Sequence, residues 1–257
     1  MSEILAGHYN KRNFTLLIQI SEVCQPNNIF ATFGARMLQF KPVIIFDMDG
    51  VLFDSEPLHC QFEETLFRHY NIFPSAEQKK LFVGLGDNRF WELLKDMFSL
   101  EMTVEDLVLF DRKKRIQFFR DHEAPVMTGA ARLLEHLNAS GFRMALASSS
   151  LMEIIDGNLT RSGLSGYFEI KVCNDMITNG KPEPDIFLLA AGKMNARPEH
   201  CVVVEDSEHG IKAAGSAGMK CIALKNDPAS RQKVDRADIV VPGLNDITAQ
   251  KILALLA

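Results

Sequence analysis

At 257 residues, 47% apolar and 24% charged, the chain can build a core of ordinary size without disulfide staples, and a fibrous or disordered class is excluded. A net charge of −5 argues against a nucleic-acid partner, which usually meets a basic face. No apolar run approaches the roughly 20 residues that span a bilayer; the N-terminal candidate, Phe14 to Ile20, is short and broken by Thr15 and Gln19, so no membrane partner is expected and the chain reads as cytoplasmic.

Residues 1–40 mix Asn, Gln, Lys and short apolar pieces without a period and read as an N-terminal extension. The regular pattern starts at Lys41. Val43-Ile44-Ile45-Phe46 is short, apolar and β-branched, the mark of a strand buried on both faces, and Asp47-Met48-Asp49-Gly50 follows at its carboxyl end. From 56 to 123 the period becomes helical: Phe62, Leu66, Phe67 and Tyr70, then Phe90, Leu93, Leu94 and Met97, then Leu107, Phe110 and Ile116 to Phe119. This block reads as an all-helical insertion. Its basic run, Arg112-Lys113-Lys114-Arg115, lies among Asp106, Asp111 and Asp121 and reads as the solvated side of a helix.

After Pro125 strand and helix alternate. Thr128 is the expected N-cap of a helix through Asn138, with Gly141 at its end. Arg143 to Ser148 reads as strand, Leu151 to Leu164 as helix, Glu169 to Cys173 as a short strand and Asp185 to Met194 as helix. Cys201 to Asp206 is strand, Ser207 to Ala217 helix, and 221–224 and 238–241 close the series as strands. Such alternation predicts an α/β fold: a Rossmann-like parallel sheet with helices on both faces, its core at 41–55 and 124–257, carrying an α-helical domain at 56–123. The five cysteines form no C-x-x-C pair and read as free thiols.

Ligands of an open parallel sheet sit beyond the carboxyl ends of its strands. Asp47 and Asp49, Ser148, Lys181, and Glu205 and Asp206 all fall there. A lone aspartate at a strand end commonly caps a helix. Two acidic pairs on separate apolar strands instead crowd negative charge, and all-oxygen ligands suit a hard cation; magnesium fits a site shared with phosphate. Ser148-Ser149-Ser150 can cap a helix or hold an anion at a strand-to-helix turn. Lys181 precedes Pro182-Glu183-Pro184, prolines expected to keep the segment extended. A P-loop is excluded there, since Asp175 replaces the first glycine and Pro182 the Ser/Thr. Gly84-Leu85-Gly86 lacks the third glycine of a dinucleotide fingerprint, and His59 reads as a hinge or core residue.

Together, DMDGVLFDSEP at 47–57, ALASSS at 145–150, GKPEPDIF at 180–187 and VVEDSEHGI at 203–211 resemble the haloacid dehalogenase superfamily, in particular its β-phosphoglucomutase-like subgroup with sugar-phosphate phosphatases. The likeness runs from about Val43 to the C-terminus. It implies a Mg²⁺-dependent phosphatase of a small phosphorylated metabolite, with an isomerase of the β-phosphoglucomutase type as the alternative. It also implies roles: Asp47 as the nucleophile that becomes phosphorylated, Asp49 as general acid and base with its main-chain carbonyl on the metal, Ser148 and Lys181 on the phosphoryl group, Asp206 and Glu205 on magnesium, and the helical block as a mobile cap. A decayed, non-catalytic relative would lack a nucleophile or metal ligand, and none is missing. The mutase carries an arginine three residues after a cap-loop glycine to grip a second phosphate. Here Asp87 stands three residues after Gly84, and Asn88 and Arg89 follow it, so the loop offers a second phosphate a carboxylate.

Overall fold

The computed structural model describes residues 41–82, 85–225 and 232–257; the extension at 1–40 and Gly84 lie outside the described residues. Six strands form one parallel sheet: β1 (Val43–Phe46), β2 (Arg143–Ser148), β3 (Ile170–Cys173), β4 (Cys201–Glu205), β5 (Lys220–Leu224) and β6 (Ile239–Val241), in the order β3-β2-β1-β4-β5-β6. The apolar runs explain why. Alternate residues of each strand serve opposite faces, and both faces are covered. Ile44, Phe46, Met144, Leu146, Val202 and Val204 pack under helices α5 (Ala130–Ala139), α6 (Met152–Arg161) and the C-terminal α9 (Ala249–Leu255). Val43, Ile45, Ala145, Ala147, Val203 and Cys221 pack under α7 (Asp185–Lys193) and α8 (Glu208–Ser216).

The chain moves outward from β1 to β3, then crosses back to β4 on the other side of β1. That reversal opens a crevice beyond the ends of β1 and β4. Ile45 pairs with Val203 and Phe46 with Val204, and the ladder continues as Asp47 N–H donates to Val204 O at 3.0 Å. The residues after both strands therefore start level.

Between β1 and α5 the described residues form four helices: α1 (Glu56–His69), α2 (Ala76–Lys80), α3 (Asp87–Phe98) and α4 (Val104–Asp121). They bury their own core around Trp91, Phe62, Leu66, Leu94 and Leu107, each such side chain contributing about 1.5–3 kcal/mol by leaving water. The two crossings into this block run side by side. Asp54 N–H donates to Pro125 O at 2.9 Å and Met127 N–H to Leu52 O at 2.9 Å.

Three local expectations are corrected. Helix α5 is capped by Gly129 at φ +91°, not by Thr128; a Cβ there would lie 2.7 Å from Asn245 Oδ1 of the C-terminal segment. The segment around Lys181 turns instead of running extended: Glu183 N–H closes on Gly180 O at 3.0 Å and Pro184 starts α7. Half of the basic run is not a solvated helix face. Arg115 packs onto buried Asp111 at 2.8 Å, and Arg112 reaches two carboxylates outside its own helix.

Candidate active site

Asp47 leaves β1 inside the protein, and its side chain is 9% exposed. Lys181, just ahead of α7, reaches it from the other side of the sheet end. Its Nζ donates to Asp47 Oδ1 at 2.5 Å and to Glu205 Oε1 at 2.6 Å, and lies 5.0 Å from the centre of the Phe187 ring. One buried cation thus bridges two buried carboxylates from the ends of β1 and β4. Burial alone would discharge the lysine, but Asp47 and Glu205 outweigh it and hold its pKa above the ordinary value. Burial pushes the Asp47 carboxyl well up; Lys181 works against this, while Glu205, Asp49 and Asp206 add to it.

Glu205 is the anchor of this end of the site. Its Oε2 accepts from the backbone N–H of Asp206 at 2.8 Å, from the N–H of Ser207 at 2.9 Å and from the Ser207 hydroxyl at 2.9 Å. Ser207 Oγ in turn caps α8 by accepting from Gly210 N–H at 3.0 Å. Gly210 is required here: a Cβ on it would fall 1.7 Å from Glu205 Oε1. Gly50 plays the same part opposite, at φ +73°, where a Cβ would meet Asp206 Oδ2 at 2.1 Å.

Asp47, Glu205 and Asp206 offer oxygens that all lie within 4.8 Å of one another. Burial, and then the charge of Glu205, push Asp206 up to about 7. Carboxylates crowded this way must take up protons or share a cation, and an all-oxygen set between two glycine-lined walls fits a small hard divalent ion. The Asp49 carboxylate does not join this group.

Asp49 sits instead in a nest of donors. Ser55 Oγ donates to its Oδ1 at 2.5 Å, and His59 Nε2 lies 3.3 Å from the same oxygen. Ser150 Oγ and Ser148 Oγ donate to Oδ2 at 2.8 and 3.2 Å. Burial raises this carboxyl, but His59, Ser55 and Ser150 outweigh it and hold it well below the usual range. Two of these partners come from the start of α1, where the helical block begins, and two from the end of β2. Asp49 is therefore one point at which block and sheet meet.

The structure thus brings Asp47, Asp49, Ser148, Lys181, Glu205 and Asp206 together. It does not bring in Arg89, which pairs with Glu92 at 2.9 Å along the exposed side of α3. Asp87 opens α3 and accepts from Arg112 Nε at 3.1 Å; Asn88 follows it on the helix. From the sequence, His59 reads as a hinge or core residue and Ser150 only as part of a serine run, while Ser55 and Gly210 carry no role in the site. The serine run and the Ser55-to-His59 spacing of one helical turn were signals for the first three.

Comparison with known proteins identifies the chain's relatives. The model of the haloacid dehalogenase-like hydrolases matches residues 44–224. The probable pseudouridine-5'-phosphatase of Drosophila melanogaster is 33% identical over 80% of this chain and 91% of its own. The phosphorylated carbohydrates phosphatase of Thermotoga maritima is 32% identical over 70% of this chain and 82% of its own. The β-phosphoglucomutase of Clostridium difficile shares the fold, with a TM-score of 0.71 at 21% identity over 84% of this chain and 97% of that one.

Proposed function

This chain belongs to the haloacid dehalogenase-like hydrolases, and from that premise we propose that it is a phosphatase of small phosphorylated metabolites, acting through an aspartyl-phosphate on Asp47. The observation that carries this reading is the buried Asp47–Lys181–Glu205 bridge beside Asp49 in its nest of hydroxyls. A nucleophilic carboxylate must sit in line with the phosphorus while a fixed cation offsets charge on the phosphoryl oxygens, and Lys181 supplies that cation beside Asp47. In the first step an Asp47 oxygen attacks phosphorus, the bond to the ester oxygen breaks, and Asp49 gives that oxygen a proton. In the second step Asp49 takes a proton from water, which attacks the phosphorus, frees inorganic phosphate and regenerates Asp47. Ser148 and Lys181 hold the phosphoryl oxygens. A dianionic phosphate between them adds negative charge near Asp49 and moves its pKa back up, which suits a group that must carry a proton before the first step and lose it after.

Asp47, Asp206 and Glu205 would hold Mg²⁺, with Glu205 chiefly orienting the others because Lys181 and three donors already engage its oxygens. When bound, the ion supplies charge neutralisation on the phosphoryl group. Residues 56–123 would act as the cap that keeps bulk water from the first step. The named relatives favour a phosphorylated sugar or nucleoside as substrate. A mutase must instead hold a second phosphate. The described cations beside the cap loop are engaged: Arg89 by Glu92, and Arg112 by Asp87 and Asp175.

The test is phosphate release from pseudouridine 5'-phosphate and a panel of sugar monophosphates, with chelator and with Mg²⁺ restored. Asp47→Asn is expected to remove on the order of 10⁴ or more of the rate. Wild-type-like release by a folded Asp47→Asn protein, or full activity in chelator, would overturn the mechanism. Glucose 6-phosphate forming faster than free phosphate from β-glucose 1-phosphate would replace the phosphatase by the mutase.

A further inference from the structure

Arg112 lies on α4 of the helical block, yet its guanidinium ties three parts of the molecule together. Nε donates to Asp87 Oδ2 at 3.1 Å, at the first turn of α3. Nη1 and Nη2 donate to the two oxygens of Asp175, at 3.1 and 2.7 Å, in the turn that follows β3. This is the forked, two-bond pairing that only a guanidinium can make, with its third edge committed to a second carboxylate.

Asp175 belongs to the catalytic end of the sheet. It stands two residues beyond Cys173, the β2–β3 ladder partner of Ser148. The same turn backs Lys181: a Cβ on Gly180 would touch Asn174 Oδ1 at 3.1 Å. Arg112 therefore fixes the far side of the helical block against the loop that carries Lys181, while Ser55 and His59 fix its near side against Asp49. The near side is covalently tethered by the two crossings, so the far contact governs whether the block lies down on the sheet end. The three side chains are 34%, 34% and 43% exposed, so water and salt compete with the contact and opening costs little.

We propose that Arg112 is a positioning residue: shared between Asp87 of the block and Asp175 of the sheet, it latches the cap in register over Lys181 and sets how well the enzyme closes on a leaving group. The proposal rests on the catalytic assignment above only where activity is the readout.

The test compares wild type with Arg112→Gln, Asp175→Asn, the double variant and Arg112→Lys. Hydrogen exchange by mass spectrometry is expected to quicken in the segments 85–90 and 174–181 of each single variant, while β1, β4 and the Trp91 core of the block keep their protection. Arg112→Lys should recover part of it. With a sugar phosphate, each single variant should lose about threefold or more in kcat/KM, and the double variant should be no worse than either. With p-nitrophenyl phosphate, whose leaving group departs without a proton, the loss should be smaller. Raising salt to about 0.5 M should lower wild-type activity toward that of the variants. Unchanged exchange in Asp175→Asn overturns the latch. So does loosening throughout α1, α3 and α4, which marks a role in folding the block, and so does an equal loss on both substrates. Should wild type release phosphate from neither substrate while the exchange pattern holds, the latch stands and the catalytic reading falls.

Discussion

The sheet end and the helical block hold their polar residues by different means. At the sheet end, Asp47, Lys181 and Glu205 are nearly sealed from solvent, with side chains 9%, 8% and 1% exposed. Asp47 and Glu205 are placed by strand register, and Lys181 is fixed by the two carboxylates to which it donates. Across the block's face toward the sheet, the linking groups Asp87, Arg112 and Asp175 are about a third exposed or more and meet through a single guanidinium. A buried, over-determined cluster keeps its geometry whatever the substrate, whereas a half-exposed ion pair forms and breaks within the thermal range. On the reading proposed above, the chemistry belongs to the rigid region and the closing motion to the labile one. Changes at the sheet end should accordingly damage turnover of every substrate, and changes in the block should act unequally among substrates.

After Asp47, the largest effect available to break that comparison is at Asp49. Asp49→Asn keeps the shape and removes proton transfer, so the rate on an ester with a poor leaving group should fall by about 10²–10⁴. Steady-state kinetics across a substrate panel checks it. A loss confined to one substrate would mean that Asp49 serves the cap and not the chemistry.

A smaller effect is expected at Gly210, and here the sign discriminates. Ala is favoured over Gly inside a helix by about 1 kcal/mol, so Gly210→Ala should stabilise α8 if space were free. The Glu205 carboxylate fills that space, with Oε1 at 1.7 Å from the added carbon. Relieving the overlap displaces a carboxylate held by Lys181 and Ser207, and overpacking of this kind costs typically about 1–3 kcal/mol. Urea unfolding should show a net loss of stability, with activity falling on all substrates. A gain in stability would show that the anchor is softer than the comparison requires.

The two regions also differed in what their sequence disclosed. Four-residue apolar β1 and its neighbour β4 define their own ends, and register sets level the acidic residues at or just beyond them. Asp47, Asp49, Glu205 and Asp206 were legible for that reason. Ser148 and Lys181 were legible as types, though the turn that carries Lys181 was misjudged because Pro184 also suits a helix start. The partners of Asp49 were harder. Ser55 and His59 face it only because α1 starts directly above the sheet end, a fact of tertiary placement. Arg112 was hardest: its partners lie 25 and 63 residues away, and from the run Arg112 to Arg115 alone a solvated face is the simpler expectation. The same holds for Gly129, which leaves a Cβ no room beside Asn245, 116 residues further along the chain.

The smallest effect sharpens the comparison most. Arg89 is the cap-loop cation that a second phosphate would need if this chain were a mutase. It lies on α3 with its side chain 65% exposed, paired to Glu92 one turn along, a contact of the kind that contributes at most a few tenths of a kcal/mol. Its neighbour Asp87 faces Arg112, so the loop's first turn looks toward the latch while Arg89 engages its own helix. Arg89→Ala should therefore leave phosphate release within about twofold of wild type, the change expected of an exposed position away from special features. The measurement that matters is made twice: with a sugar monophosphate, and with β-glucose 1-phosphate supplemented by the bisphosphate. Equal rates before and after substitution in both assays keep Arg89 outside the site and leave Arg112 as the cap residue that matters. A selective loss of glucose 6-phosphate formation would instead show that Arg89 swings inward when a second phosphate arrives, and the block would then hold a true binding group.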